Sequence, residues 1–171
     1  MHRHISGFFA LLVLFAVSSP ARAGRISEKL LALLKQAEQV ELLSINPHVR
    51  IEAKQPGSFH GWKSLGQTTV KEAEQRKKLL TAFEKGVEIE IAKVAKCFEP
   101  RHGIRMVHEG KTIDLVICFT CYRVLVFAGE EQEQSFQIED SPRAVFDQML
   151  KDAKVRLPPP PGEQKSIETP K

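Results

Sequence analysis

The chain has 171 residues, 25 Lys and Arg against 21 Asp and Glu, 42% hydrophobic residues and three cysteines. Acids and bases are interspersed, so there is no basic stripe of the kind that marks a nucleic-acid or membrane-surface protein. The two basic residues of the first 23, Arg3 and Arg22, are matched by no acid there, so the remainder carries 23 basic side chains against 21 acidic ones.

Residues 1–23 have the make-up of a secretory signal. Arg3 sits between His2 and His4, Phe8 to Val17 is an unbroken apolar run, and Ala21-Arg22-Ala23 is a small-x-small cleavage pattern. The run falls short of the about 20 residues a membrane-spanning helix needs. The expectation is an exported protein, periplasmic or secreted, that starts at Gly24 and has no membrane span after cleavage. The 148 residues left suit one domain with a sizeable core.

Ser27 is a candidate N-cap, and Leu30, Leu33, Leu34 and Ala37 recur at helical spacing over residues 27–38. Val40 to Ile45 reads as a strand ended by Asn46-Pro47, and residues 49–53 alternate as a second. Phe59 to Leu65 reads as a third, ending at Gly66. Thr69 and Glu72 have capping-box spacing, with Val70, Ala73, Leu80 and Phe83 on one face of the helix that follows and Leu79 beside them. Gly86 is placed to stop that helix in a left-handed conformation. Val87 to Ile91 then alternates like a half-exposed strand, and residues 92–96 are ambiguous.

Residues 104–109 and 112–127 predict a long hairpin about Gly110. Its second arm is apolar on both faces, as a central strand covered on both sides would be. Ala128-Gly129-Glu130 turns the chain, and Ser135 to Ile138 returns as a last strand. Ser141 and Pro142 are N-cap and first residue of a final helix, with Val145, Phe146, Met149, Leu150 and Ala153 as its buried stripe. Residues 158–171 read as a disordered proline-rich tail. The class expected is α+β: one domain over 24–157, mainly an antiparallel sheet of about four to six strands with a long central hairpin, packed by two or three helices.

All three cysteines fall between Cys97 and Cys121, in Cys97-Phe98-Glu99-Pro100-Arg101-His102-Gly103-Ile104 and Ile117-Cys118-Phe119-Thr120-Cys121. A two- or three-residue loop at Gly110 sets opposing residue numbers to a sum near 219 or 220. His102 then faces 117–118, and Cys97 faces 122–123 beside Cys121. Three chemistries suit the cluster. One is a disulfide between Cys97 and Cys121 or Cys118 with one buried thiol left over, as an oxidising compartment favours. A second is a Zn²⁺ or Cu(I) site from Cys97, His102, Cys118 and Cys121. The third is redox chemistry at Cys118 and Cys121. A regular strand would point those two to opposite faces, which weighs against the second and third.

The two motifs resemble a signature of small exported bacterial proteins, and Phe59 to Gly66 and both later helices share in the resemblance. It implies that Cys97, Pro100, Arg101, His102, Gly103, Cys118 and Cys121 belong together, and it implies no activity. Thr120 stands where the resemblance would suggest an acid, so a carboxylate role at that position is not expected.

Arg101, His102, His60 and Trp62 are the candidate binding residues, each with a structural alternative. Arg101 can pair with Glu99 or Asp114, His102 can fix a bend, and the aromatic side chain near a turn can be core or rim. No Ser/His/Asp order or phosphate-binding loop stands out, so no catalytic residue is assigned. The leading reading is a non-enzymatic envelope domain with a structural Cys/His/Arg cluster, no cofactor, and an envelope protein or small ligand as partner. The alternative is a metal- or thiol-dependent activity at Cys97, His102, Cys118 and Cys121.

Overall fold

A computed structural model describes residues 25–89, 91, 95 and 97–160. The expected signal segment with Gly24, residue 90 of the expected 87–91 strand, residues 92–94 and 96 of the ambiguous stretch, and the expected tail beyond 160 lie outside those residues. The elements are α1 (Glu28–Gln36), β1 (Gln39–Arg50), β2 (Ser58–Phe59), β3 (Trp62–Thr69), α2 (Ala73–Glu88), β4 (His102–His108), β5 (Lys111–Cys118), β6 (Arg123–Ala128), β7 (Glu131–Phe136) and α3 (Arg143–Asp152). The strands form one antiparallel sheet in the order β2-β3-β1-β4-β5-β6-β7, curled into a half-barrel. The α+β expectation holds, with seven strands in place of four to six.

Alternation along the strands gives the sheet two apolar faces. One carries Val40, Leu42, Ile104, Met106, Leu115, Ile117, Val124 and Val126, and packs against Leu34, Phe83 and Phe146 of the three helices. The other carries Leu43, Ile45, Val116 and Phe127, and is covered by the β2–β3 hairpin through Phe59 and Trp62. The central strands are therefore apolar on both sides for the reason the sequence suggested.

Several boundaries differ from expectation. Asn46-Pro47 does not end a strand: β1 runs on to Arg50. Its pairing with β4 stops at Ser44, and its register against β3 shifts between Asn46 and Arg50, so the missing Pro47 N–H breaks no ladder. Similarly, β3 continues through Gly66 to Thr69, because Thr68 and Thr69 pair with Leu42 and Glu41. Thr69 is thus no N-cap. The helix starts after Glu72, without a side-chain cap.

Nor does Gly86 end α2, which runs through Glu88 and takes in part of the expected 87–91 strand. Gly86 is instead a point of close approach: a Cβ there would lie 2.5 Å from Pro142 Cγ. The buried face of α2 is Leu79, Phe83, Gly86 and Val87, while Leu80 is half-buried at its edge. The last strand, β7, begins at Glu131, earlier than Ser135, in a stretch whose exposed Glu and Gln residues carry no apolar alternation. In α3, Pro142 rather than Ser141 takes the cap position, and Ala153 is exposed.

The largest difference lies at the cysteines. The β4–β5 hairpin turns at Glu109-Gly110 and sets His102 opposite Ile117, the expected register. The second arm is not one strand to Phe127. It stops at Cys118, reverses over residues 119–122, and returns as β6 with Arg123 opposite Cys118. Tyr122 takes a left-handed φ of 55°, and its N–H donates to the Phe119 carbonyl at 3.1 Å. Cys97 therefore cannot face 122–123 across a continuous hairpin.

Candidate functional site

The reversal brings Cys118 and Cys121 together, and they form the disulfide of the structure, with Cα atoms 5.1 Å apart. A C-x-x-C pair in a turn escapes the objection that applies to a strand, because its side chains need not alternate. Both residues are buried. The Cys121 N–H donates to Cys118 Sγ at 3.2 Å, and Thr120 Oγ1 lies 3.5 Å from the same sulfur. Cys97 is the exposed free thiol, so neither a Cys97–Cys121 nor a Cys97–Cys118 bond is present. It remains tethered nearby, because the Glu99 N–H donates to Cys121 Sγ at 3.3 Å.

His102 opens β4 and points to the helix-covered face. Its ring meets Phe119 and Phe146 edge-on, with centroids 5.2 and 5.8 Å away. Nε2 lies 2.8 Å from Asp147 Oδ1 on α3. Burial pushes the Asp147 carboxyl up, but the His102 hydrogen bond and the charges of His102, Arg143 and Lys151 outweigh it, and the net shift is downward. So His102 fastens a helix to the sheet, a different task from fixing a bend.

Arg101 is buried, and its Nη1 donates to the Pro159 carbonyl. Burial lowers its pKa from an already high value, with Glu99 and Asp147 opposing that shift and Arg143 adding to it, and it stays a cation. Of the two acids proposed for it, Glu99 stands 3.7 Å away, whereas Asp114 belongs elsewhere. The Pro159 contact also corrects the reading of the tail at its start: Pro158 and Pro159 are half-buried against the domain.

On the opposite face His60, Asp114 and Arg105 form a hydrogen-bonded cluster in which the first two side chains are buried and Arg105 is part-exposed. His60 Nε2 is 2.7 Å from Asp114 Oδ2, and Arg105 donates to both carboxylate oxygens at 2.9 and 2.7 Å. His60 and Gly61 both have positive φ, in a two-residue β2–β3 turn that aims the imidazole inward, stacked on Phe127 at 3.8 Å. Burial alone would raise the Asp114 pKa, but hydrogen bonds from His60 and Arg105 and the charges of both hold it below the usual carboxylate range. The hydrogen bond to Asp114 raises the Arg105 pKa despite burial. Trp62 is a wall of this face, under the Arg50 guanidinium at 3.7 Å and edge-on to Phe98.

From the sequence, no site role is assigned to Asp114, Arg105 or Asp147. Asp114 did carry a signal: a single acid inside the apolar run Ile113 to Cys118 must find partners if the strand is central. Asp147 carried none, since an acid on an amphipathic helix is ordinarily solvated.

The four-residue metal set is not assembled. His102 Nε2 is engaged by Asp147, Cys118 and Cys121 are joined to each other, and among the described residues no three His, Cys, Asp or Glu stand close enough to hold an ion. A separate concavity of about 560 Å³ opens between α1 and the β5–β7 strands, lined by Leu30, Leu33, Ile113 and Val126 with Lys29 and Lys111 among its polar residues. No helix among the described residues is long and apolar enough to cross a membrane.

The geometry defines a class: an α+β half-barrel whose motif residues tie its outer elements to the sheet. No protein family, curated protein or solved structure matches the chain.

Proposed function

We propose that this chain is an exported, non-enzymatic envelope domain in which the Cys/His/Arg motif builds the scaffold and the concavity beneath α1 does the binding. One observation carries the reading: apart from the free Cys97, the charged and sulfur-bearing side chains of the motif each hold a different part of the fold. His102 holds α3, Arg101 holds the segment at Pro159, and Cys118–Cys121 closes the β5–β6 turn. A disulfide persists in an oxidising compartment, which agrees with the signal segment of residues 1–23. The concavity has the volume of small-ligand sites, ~300–1,000 Å³, and its apolar wall, edged by Lys29 and Lys111 and by Glu109 and Glu133, suits a small, largely apolar ligand without net charge.

The test is direct. His102→Ala should lower stability by about 2–4 kcal/mol, because it opens a cavity between Phe119 and Phe146 and leaves Asp147 unpartnered. Asp147→Asn should cost less, since that carboxylate is part-exposed. An unchanged denaturant midpoint for His102→Ala would overturn the scaffold role. Fractionation should recover protein starting at Gly24 outside the cytoplasm, and an intact Met1 on the accumulated protein would overturn export.

A second reading, thiol-dependent activity, is favoured by the linked C-x-x-C turn with a third cysteine tethered beside it.

A further inference from the structure

We propose that the three cysteines form a relay, in which exposed Cys97 is the entry point to the buried Cys118–Cys121 disulfide and passes electrons to it from an exported dithiol. The proposal rests on the second reading, thiol-dependent activity, in place of a purely structural role for the cysteines, and gives that reading a substrate class and a route.

The first observation is access. Exchange requires a thiolate to approach one sulfur of the bond, and Cys118 and Cys121 are 0% and 1% exposed. A protein or small thiol in solution meets almost no exposed surface of either residue. Cys97 is exposed and free. Its chain is pinned two residues later by the Glu99 N–H on Cys121 Sγ, and two residues of extended chain span at most about 7 Å. Cys97 Cα is therefore held within about 10 Å of the bonded pair, on the side where Glu99 touches Cys121.

The second observation is polarity. In exchange the better-stabilised thiolate is the better leaving group. Cys118 Sγ has both the Cys121 N–H at 3.2 Å and the Thr120 hydroxyl at 3.5 Å, whereas Cys121 Sγ has the single N–H of Glu99. Attack on Cys121 with departure of Cys118 is favoured by both proximity and leaving-group stabilisation. Thr120 then has a role that needs no carboxylate.

The step balances without an outside oxidant. The Cys97 thiolate attacks Cys121 Sγ, the 97–121 bond forms, the 118–121 bond breaks, and the electron pair leaves on Cys118. The proton lost by Cys97 is returned through solvent to Cys118. This isomerisation carries the disulfide to the exposed cysteine. A thiolate of the substrate dithiol then attacks Cys97 Sγ and expels Cys121, and the second substrate thiol displaces Cys97. The substrate gains a disulfide, and the protein ends with three thiols.

The experiment uses purified, oxidised protein from Gly24 onward, with reduced dithiothreitol as the dithiol, and follows thiol release. Because it starts from isolated disulfide-bonded protein, its outcome is independent of where the cell places the chain. Cys97→Ser alters an exposed side chain and should leave the thermal midpoint unchanged while slowing reduction of Cys118–Cys121 about tenfold or more, as loss of a tethered thiol does. Cys118→Ser, which leaves only Cys97 and Cys121, should give a linked 97–121 peptide on oxidation. Thr120→Val should slow exchange and leave the midpoint in place. Reduction of Cys97→Ser at the wild-type rate would overturn the relay, because the disulfide would then be opening directly. So would a folded Cys118→Ser protein that never forms the 97–121 bond. If that variant does not fold, non-reduced peptide mapping of partly reduced wild-type protein decides, since the relay requires a 97–121 linked species.

Discussion

Gly103→Ala tests how closely the two faces of the sheet depend on one residue. Gly103 lies mid-sheet, paired with Leu43 of β1 and Val116 of β5, so its backbone is held from both sides. A Cβ there would sit 2.5 Å from Phe59 Cε1 and 3.1 Å from Cδ1 and Cζ, well inside the ~3.5–4.0 Å of a favourable carbon contact. Phe59 is 1% exposed, with the His60 ring at 5.0 Å and the Arg105 guanidinium at 5.4 Å, so it can retreat only by moving the ionic cluster. Two effects oppose. Restricting the unfolded chain by replacing Gly stabilises by about 0.4–1 kcal/mol where the conformation is compatible. Overpacking a tight core costs about 1–3 kcal/mol. The net expectation is a loss of about 1–2 kcal/mol, or roughly 3–6 °C in Tm for a domain of this size. Calorimetry or a urea titration reads it. Phe59→Leu should be destabilising alone yet partly rescue Gly103→Ala, giving favourable coupling in the double-mutant cycle. A raised Tm for Gly103→Ala, or strict additivity with Phe59→Leu, would refute the packing argument.

Asp114→Asn should cost about 1–3 kcal/mol near neutral pH, because it weakens the hydrogen bonds of a buried carboxylate to His60 and to part-exposed Arg105, and urea midpoints would measure this. The folded-state pKa of Asp114 is depressed, so its stabilisation is present above the ordinary carboxylate value and is lost as pH falls through the folded value. Wild-type stability should thus decline below about pH 4, and that decline should be shallower in Asp114→Asn; equal acid slopes would mean the cluster is not formed. On α2, Phe83→Ala should cost about 3–5 kcal/mol, Leu80→Ala clearly less and Lys77→Ala close to nothing, following their burial. Equal effects at 80 and 83 would mean that the helix is rotated from its place.

The helix-forming stretches and the Gly110 hairpin were legible because their determinants are local. Leu30 and Leu34 recur at the helical period, and Glu109 and Gly110 can take the positive φ that a two-residue turn needs. The expected pairing of His102 with residue 117 follows from that turn alone, since one register propagates along an antiparallel ladder. Elements misjudged from the sequence are those in which a distant strand overrides a local signal. Thr69 has the spacing of a cap but is claimed by β1, and Pro47 looks like a stop where β4 no longer needs its N–H.

By itself, then, the sequence determined the α+β class, the two-sided burial of the central strands and the crowding of every cysteine into one region. Each is a property of neighbours along the chain. Only the tertiary structure decided which cysteines meet, because Phe119-Thr120-Cys121-Tyr122 contains no Gly, Pro or Asn to announce a reversal; Tyr122 is held in its left-handed conformation by the strands on either side. The partners of His60 and His102 were decided there too: Asp114 is 54 residues from one and Asp147 is 45 residues from the other. A hydrogen bond across that separation depends on how strands and helices stack, and no local period encodes it.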